Sequence, residues 1–188
     1  MVHYYGNQLP ALCKEPCKDA YNLPVFTKAF ADEIIKAAND LGDWSDGRSD
    51  KVDPRLGTYE NVPTRDIHMH QLGFHDQWEK IVKKYIAPVV SAVYNGYNTK
   101  GINIAFIVKY SMDGQRDLVP HHDASVYTIN VCLNRDYTGG GCKFIRQNCV
   151  VDDKEVGEVT IHPGRLTHYH EGLAVTSGER YILVSFVN

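Results

Sequence analysis

From Gly101 onward the chain consists of short β-branched and aromatic runs that are separated by clusters of Gly, Asp and Pro. Runs of this kind without intervening helical periods are typical of antiparallel sandwiches and jelly rolls. We therefore predict a β core that contains strands at residues 102–110, 126–133, 142–146, 158–162 and 180–187.

Two helical segments precede this β-rich part, and we expect them to pack against its outer side. Thr27 is a typical N-cap residue, apolar residues follow it at helical spacing, and Gly42 suits the end of the helix. Residues 77–94 carry a broad apolar stripe that Pro88 is expected to kink. The predicted fold class is therefore α+β, with helices flanking a β core.

The other segments give weaker signals. Prolines interrupt residues 1–26, so we expect irregular structure there with a short edge strand at 21–26, and residues 1–15 as a peripheral lead-in. Residues 44–63 lack a period and predict a long surface loop, whereas residues 64–70 predict a strand. The 188 residues contain no repeat or linker, which indicates a single domain.

The composition argues against several classes of partner. A net charge of -3 gives no basic field for nucleic acid, and no apolar run approaches the roughly 20 residues of a membrane span. The N-terminus lacks the charged-then-apolar profile of a signal peptide. The five cysteines lack zinc-type spacing, so they predict buried or free thiols, such as Cys132 in the core, with one disulfide as the alternative.

Residues that carry chemistry concentrate in a Pro-His-His-Asp sequence. On an extended strand His121 and Asp123 point to one face, whereas His122 points to the other. A second imidazole is available from His168 or His170, and spacing alone does not choose between them. Two imidazoles and one carboxylate form the facial set that holds Fe(II), although these ligand types also suit Mn and Zn.

Two other metal chemistries compete with this interpretation. Asp66, His68 and His70 lie on one face of a predicted strand and form a second possible metal set, which we rank below the first. A zinc hydrolase would need a general base, for which Glu171 is available, but the helical His-Glu-x-x-His signature is missing from the sequence.

Arg180 opens the last predicted strand, where a buried guanidinium group is costly unless it is paired. The forked guanidinium matches a carboxylate group, so this position favours a dicarboxylate co-substrate. The glycine-rich turn at residues 136–141 joins two predicted strands. That context argues against a phosphate cradle and predicts a close approach of the backbone beside the pocket.

Several motifs together resemble the C-terminal catalytic domain of the procollagen lysyl hydroxylases. The resemblance covers the chain from about residue 16 onward, and the compact form looks closest to the giant-virus lysyl hydroxylase domain. The motifs are Tyr-Glu-Asn-Val-Pro-Thr at 59–64, Asp-Ile-His-Met at 66–69, Pro-His-His-Asp-Ala-Ser at 120–125, Thr-Ile-Asn at 128–130, Gly-Gly-Gly-Cys-Lys-Phe at 139–144, His-Pro-Gly-Arg-Leu-Thr-His-Tyr-His-Glu-Gly-Leu at 162–173 and Arg-Tyr-Ile-Leu-Val-Ser-Phe-Val at 180–187.

The resemblance implies a double-stranded β-helix fold that uses Fe(II), 2-oxoglutarate and ascorbate. The implied reaction hydroxylates lysine in collagen-like X-Lys-Gly sequences, with succinate and CO2 as co-products. By position, the resemblance implies the following site residues: the iron ligands His121, Asp123 and His170; the catalytic and co-substrate-binding residue Arg180; and the further co-substrate contacts Tyr110, Thr128 and Asn130.

The same resemblance implies a homodimer, a disulfide between Cys17 and Cys149, and a collagen-like polypeptide as the partner. The location implied is the endoplasmic reticulum lumen if the protein is like the animal family, or the host cell or virion if it is viral. Two alternatives are a non-catalytic metal-binding β-barrel module for dimerisation or scaffolding, and a dioxygenase that acts on a different peptide substrate. The module is favoured less, because all four residues of the iron and co-substrate motif are present.

Overall fold

A computed structural model describes residues 12–48, 52–55, 58–59, 61–152 and 155–188. The elements in chain order are β1 (Lys14–Cys17), β2 (Ala20–Pro24), α1 (Lys28–Leu41), β3 (Val52–Asp53), β4 (Thr58–Tyr59), β5 (Asp66–His68), α2 (His75–Ile81), a π-helical segment (Val82–Ile86), α3 (Ala87–Val93), β6 (Ile102–Ser111), β7 (Leu118–His121), β8 (Tyr127–Cys132), β9 (Tyr137–Gly139), β10 (Cys142–Phe144), β11 (Cys149–Val151), β12 (Glu158–Pro163), β13 (His170–Gly172) and β14 (Val175–Val187).

The strands form two main antiparallel sheets. The larger sheet has the order β1-β2-β12-β8-β14-β6-β5, with β9 also paired to β14, and the smaller has the order β11-β10-β13-β7. Strands β3 and β4 form a separate hairpin. From β6 onward the chain passes repeatedly from one sheet to the other, which is the jelly-roll, or double-stranded β-helix, arrangement. The predicted fold class is confirmed.

Helix α1 begins and ends where its sequence predicts. The Thr27 hydroxyl accepts a hydrogen bond from the Phe30 amide at 3.3 Å, as an N-cap does. Gly42 ends the helix in the left-handed conformation, with φ of 69°, and its amide donates to the Ala38 carbonyl. Local sequence is therefore sufficient to set both boundaries of this helix.

The second predicted helix is divided as expected, although the irregular stretch starts before the proline. Five residues, Val82–Ile86, form a π-helical segment between α2 and α3. Pro88 lies in the first turn of α3, where its missing N–H group has no intrahelical partner to lose. The helix also begins at His75, two residues earlier than predicted.

Alternation along the strands divides the larger sheet into two faces. Ile107, Ile129 and Leu183 face the helices and pack in one core cluster with Trp78, whose indole N–H donates to the Ser185 hydroxyl at 2.9 Å. The intervening residues of β6 and β14 form a second buried cluster on the opposite face. A polar side chain at one of these alternate positions therefore points into the space between the two sheets.

The sequence pattern missed several short strands and misjudged others. The N-terminal part was expected to be irregular apart from an edge strand, but β2 lies between β1 and β12. The expected loop at 44–63 contains the β3–β4 hairpin, and its residues 49–51, 56–57 and 60 lie outside the described residues, as do residues 1–11 of the expected lead-in. The missed strands have two to four residues, too few to show a period, whereas the equally short β5 and β10 lie within longer runs that were predicted as strands.

A disulfide joins Cys17, at the end of β1, to Cys149, at the start of β11. It connects two strands of different sheets that are 132 residues apart in the sequence. The implied pairing is confirmed, and Cys132 is buried as predicted. Within the described ranges, no helix has the length and apolar character that a membrane span requires.

Candidate active site

His121, Asp123 and His170, hereafter the triad, converge between the two sheets. His121 ends β7 and is the cross-strand partner of His170, the first residue of β13, so both imidazoles come from the smaller sheet. Asp123 lies beyond the end of β7, in the connection to β8, so the extended-strand geometry considered for the two residues does not apply to this pair. The three ligand atoms still lie within 4.8 Å of one another, and the triad is the one such group among the described residues.

Both imidazoles of the triad are oriented by a backbone carbonyl two residues earlier in the chain. The Nδ1 atom of His121 lies 2.7 Å from the carbonyl oxygen of Val119, and that of His170 lies 2.8 Å from the carbonyl oxygen of His168. A carbonyl oxygen only accepts, so each Nδ1 carries the proton. In the neutral imidazoles each Nε2 atom keeps its lone pair, whereas a protonated His121 would donate from Nε2 to Asp123. The two Nε2 atoms lie 3.2 Å and 3.7 Å from Asp123 Oδ1.

The buried carboxylate of Asp123 divides its two oxygen atoms between two tasks. Oδ2 accepts a hydrogen bond from the Thr128 hydroxyl at 2.5 Å, and Thr128 in turn accepts from Ser125 at 2.9 Å. Oδ1 is left facing the histidines. Thr128 was expected to contact the co-substrate, but this contact favours a role in holding the carboxylate, and the residue is not among those that line the cavity described below.

The triad histidines and aspartate perturb one another's protonation. Burial raises the pKa of Asp123, but hydrogen bonding and charge interactions, led by His121 and His170, outweigh it and hold the pKa far below its usual range. Burial lowers the pKa of His121, yet the adjacent Asp123 carboxylate raises it overall. Burial dominates at His170 and lowers its pKa. The carboxylate is therefore ionised at neutral pH and is available as an anionic ligand.

The structure separates His170 from His168, which the spacing left open. The Nε2 atom of His168 lies 3.0 Å from the carbonyl oxygen of Lys18, and its Nδ1 atom accepts from the Thr167 hydroxyl at 2.9 Å. Both ring nitrogens are therefore occupied by the protein itself. His168 fastens the segment after β1 to the smaller sheet, and it leaves His170 as the second imidazole of the triad.

Sequence reasoning missed His162, a fully buried histidine beside the triad. Its Nδ1 atom lies 2.9 Å from the Pro163 carbonyl oxygen, and its Nε2 atom lies 3.1 Å from the Asn130 amide nitrogen and 3.9 Å from Asp123 Oδ2. Burial lowers the pKa of His162 to about 3, so the ring is neutral at neutral pH. Its position in an apolar strand signals burial, but no sequence feature signals the contact with Asn130.

A cavity of about 340 Å³ opens beside the triad, and Arg180 lies in its wall. Arg180 is an internal residue of β14 rather than the first residue of a strand, and it is 4% exposed. Its Nε atom is buried without a hydrogen-bond partner, and none of the described residues forms an ion pair with it. Because a buried guanidinium group requires a partner, this end of the cavity is suited to a carboxylate ligand.

The glycine-rich turn approaches Arg180 as predicted. Gly140 has φ of 75°, and a Cβ atom there would lie 3.0 Å from Arg180 Cδ and 3.1 Å from the ring of Tyr137. The guanidinium carbon lies 6.0 Å from the centre of that ring and 5.4 Å from the centre of the Tyr110 ring. The turn and the two aromatic rings therefore enclose the arginine. Tyr110 and Asn130, both expected at the co-substrate, line the cavity.

The competing set of Asp66, His68 and His70, hereafter the β5 set, does not form a three-ligand group. Asp66 accepts a hydrogen bond from Arg55 Nη1 at 2.6 Å and another from the Thr64 hydroxyl at 2.5 Å. His68 is buried beside Asp66, whereas His70 is exposed and stacks on the ring of another histidine. The aspartate is already paired with Arg55, and only His68 of the two imidazoles lies beside it.

Glu171, the possible general base of a zinc hydrolase, is also engaged elsewhere. Its carboxylate forms an ion pair with Lys143 at 2.9 Å, across the pairing of β10 with β13. A carboxylate held in this pair is not directed at a water molecule on the triad. The arrangement gives no support to the hydrolase interpretation.

The chain is similar to several known proteins. No family model matches the chain. It is 50% identical over 182 residues to human procollagen-lysine,2-oxoglutarate 5-dioxygenase 1, which covers 94% of this chain and 25% of that protein. It is 48% identical over 177 residues to the procollagen lysyl hydroxylase and glycosyltransferase of Acanthamoeba polyphaga mimivirus, covering 93% of this chain and 20% of that protein. The chain is a homologue of one segment of the procollagen lysyl hydroxylases.

The chain spans about a quarter of the length of the animal lysyl hydroxylases and less of the viral one. The identities to the two groups are similar, so they do not place the chain nearer to the giant-virus form. The 2-oxoglutarate complex of a collagen prolyl hydroxylase from Paramecium bursaria Chlorella virus-1 has the same fold, with 13% identity, 90% and 95% coverage of the two chains and a TM-score of 0.64. A prolyl-4-hydroxylase of Pseudomonas putida also has this fold, with 15% identity, coverage of 96% of this chain and 98% of that chain, and a TM-score of 0.62.

Proposed function

We propose that this chain is a single Fe(II)- and 2-oxoglutarate-dependent dioxygenase domain that hydroxylates lysine in collagen-like X-Lys-Gly sequences. Succinate and CO2 are the co-products. One observation carries the proposal: the triad lines the same cavity as a buried arginine that has no ion-pair partner among the described residues. The names of the lysyl hydroxylase homologues support the substrate.

The donor set of the triad fits Fe(II). His121 Nε2, Asp123 Oδ1 and His170 Nε2 would hold the ion as two neutral nitrogens and one anionic oxygen, which is the facial set of non-haem iron oxygenases. Bound Fe(II), together with 2-oxoglutarate, supplies the oxidative chemistry that replaces a C–H bond by C–OH. The carbonyl contacts of the two Nδ1 atoms keep both rings in the tautomer that coordination requires.

Arg180 is the residue that would bind the distal carboxylate of 2-oxoglutarate. Its guanidinium fork matches a carboxylate two-fold, and its surroundings of Tyr110, Tyr137 and the glycine turn keep water away from the pair. Asn130 would present its remaining amide hydrogen and its oxygen to the cavity, since its other hydrogen points to the acceptor nitrogen of His162. The protein thus supplies position and a dry pocket.

Ascorbate, the homodimer and the cellular location belong to the same proposal. The disulfide favours folding in an oxidising compartment such as the endoplasmic reticulum lumen, or assembly into a virion. Leu166 is 80% exposed, and we propose it as one apolar side chain that the dimer contact would cover. Light scattering of the wild-type chain and of Leu166→Asp tests the dimer: a monomer in both would oppose it.

The decisive experiment measures succinate release with Fe(II), ascorbate and 2-oxoglutarate, with and without a Gly-X-Lys-Gly collagen peptide, followed by peptide mass. A peptide-dependent rise with one added oxygen on lysine is the expected result. Succinate without any dependence on peptide would keep the dioxygenase and reopen the substrate, including prolyl residues. No succinate from iron-loaded protein would favour the non-catalytic module.

A further inference from the structure

We propose that Asp66 forms an ammonium subsite that binds the ε-amino group of the substrate lysine within the cavity. This inference rests on the proposed function, because it takes the cavity as the place where a lysine side chain enters. Asp66 was considered above only as a metal ligand, a role its contacts do not support.

The cavity is lined by two carboxylates and by the guanidinium group of Arg180. Asp66 and Asp123 are the carboxylates among its described lining residues, and Asp123 belongs to the triad. Asp66 is therefore the lining carboxylate that remains for a cationic ligand. Arg180 makes the same cavity a ligand site on independent grounds, since its buried Nε atom has no hydrogen-bond partner in the described part of the chain.

The sheet keeps Asp66 apart from Arg180. Arg180 of β14 pairs with Tyr110 of β6, whereas Asp66 of β5 pairs with Val108 on the other side of β6. Two strand spacings, roughly 10 Å, therefore separate the backbones of the charged residues. An anion held by Arg180 and a cation held by Asp66 would occupy different parts of the cavity.

The wall between these charges suits the methylene stem of a lysine. Phe106, Val108, Ile182 and Val184 line the cavity and pack together in the inner cluster of the larger sheet. An ammonium group at the end of an aliphatic stem is best accommodated where the stem contacts apolar surface and the head meets a polar group.

The contacts of Asp66 hold its carboxylate in place without neutralising the local charge. Arg55 donates to Asp66 with one nitrogen, but it also forms a two-fold contact with Asp53, at 3.0 Å and 2.6 Å. Two carboxylates thus share one guanidinium group, which leaves one negative charge in excess. Each carboxylate oxygen accepts more than one hydrogen bond, so Asp66 keeps capacity for an ammonium donor.

The test compares dissociation constants of a Gly-X-Lys-Gly collagen-like peptide and of the same peptide with norleucine in place of lysine. Binding is measured without oxygen, with Fe(II) and 2-oxoglutarate present. We expect the wild-type chain to bind the lysine peptide about tenfold more tightly, the scale of one hydrogen bond to a charged group. Asp66→Asn should remove this preference. Asp53→Asn is the matched control, because it takes a carboxylate from the same Arg55 outside the cavity lining, and it should retain the preference.

Equal affinities of the wild-type chain for the two peptides would overturn the subsite, as would a preference that survives in Asp66→Asn. Unchanged 2-oxoglutarate binding and thermal melting show that the variant is folded. If the variant is not folded, the wild-type chain is tested with a peptide in which the lysine is Nε-acetylated and therefore uncharged. This peptide should bind as weakly as the norleucine peptide. A lysine preference without any succinate release would retain the subsite and remove the proposed reaction.

Discussion

The triad and the β5 set contain the same side chains, one aspartate and two histidines, yet they are in different chemical states. In the triad, two paired strands bring the imidazoles together, and backbone carbonyls take the Nδ1 protons, so the Nε2 lone pairs face the carboxylate. In the β5 set the carboxylate is bound by Arg55, and His70 is exposed at the surface. What distinguishes a metal centre is the set of lone pairs that the protein leaves unused.

Removing each aspartate in turn should give the largest difference between the triad and the β5 set. Asp123→Ala should lose Fe(II) binding and lower turnover by more than about 100-fold. Mutation of a residue that only orients a metal ligand already lowers metal affinity or activity by about 10–100-fold. Asp66→Ala should retain one Fe(II) per chain, measured by native mass spectrometry. Iron retained by the first variant and lost by the second would transfer the metal centre to the β5 set.

Arg180→Gln tests the co-substrate anchor, which lines the same cavity as the triad and Asp66. The glutamine is uncharged, so 2-oxoglutarate should bind with roughly 2–5 kcal/mol less free energy, the range for loss of one partner of a buried charge pair. Calorimetric titration of the iron-loaded protein measures this change. Fe(II) stoichiometry serves as the control and should not change. An unaltered 2-oxoglutarate affinity would remove Arg180 from the site.

Much of the fold could be predicted because it is encoded locally. Thr27 and Gly42 define α1 through their own conformations, and the β-branched runs of β6, β8 and β12 are long enough to show a period. Strands β7, β9 and β13 were missed because each has three or four residues and is defined by its partner strand. Nothing within such a segment distinguishes it from a turn.

The site was predicted in composition but not in geometry. Asp123 reaches the cavity through the turn after β7, and His168 is excluded by its contact with Lys18. Both features depend on residues that are far apart in the sequence. The choice of His170 over His168 therefore came from the resemblance to a family rather than from spacing. The pairing of Asp66 with Arg55 is likewise tertiary and has no sequence signal.

Each aspartate also accepts a hydrogen bond from a threonine, and these two threonines should differ in their effect on Fe(II) binding by a smaller amount. Thr128 donates to Asp123 Oδ2 and Thr64 donates to Asp66 Oδ2, each at 2.5 Å. Thr128→Val should lower Fe(II) affinity about tenfold, because the carboxylate loses the contact that fixes its orientation. Thr64→Val should leave Fe(II) affinity unchanged, although both variants lose a buried hydrogen bond. Competition with a chelator measures the affinities, and an equal loss in both variants would indicate a general effect on stability.

The smallest expected effect concerns pH, and it compares the buried histidine beside each aspartate. Burial lowers the pKa of His162 to about 3 and also lowers that of His68, where the charges of Asp66 and Asp53 oppose the shift. The unfolded chain binds these protons more readily. The stability that each neutral ring contributes is therefore fully present above about pH 6.5 and is lost as the pH falls toward the folded-state pKa.

For His162 the loss between pH 6.5 and 5.5 is about 1 kcal/mol, and urea unfolding of the metal-free protein at the two pH values measures it. The pKa of His121 is raised, so this residue acts in the opposite direction in the same protein. The contribution of His162 is therefore taken as the difference between wild type and His162→Gln, from which His121 cancels. We expect His162→Gln to reduce the pH dependence more than His68→Gln does. The reverse order would mean that the β5 set, rather than the surroundings of the triad, contains the more strongly desolvated imidazole.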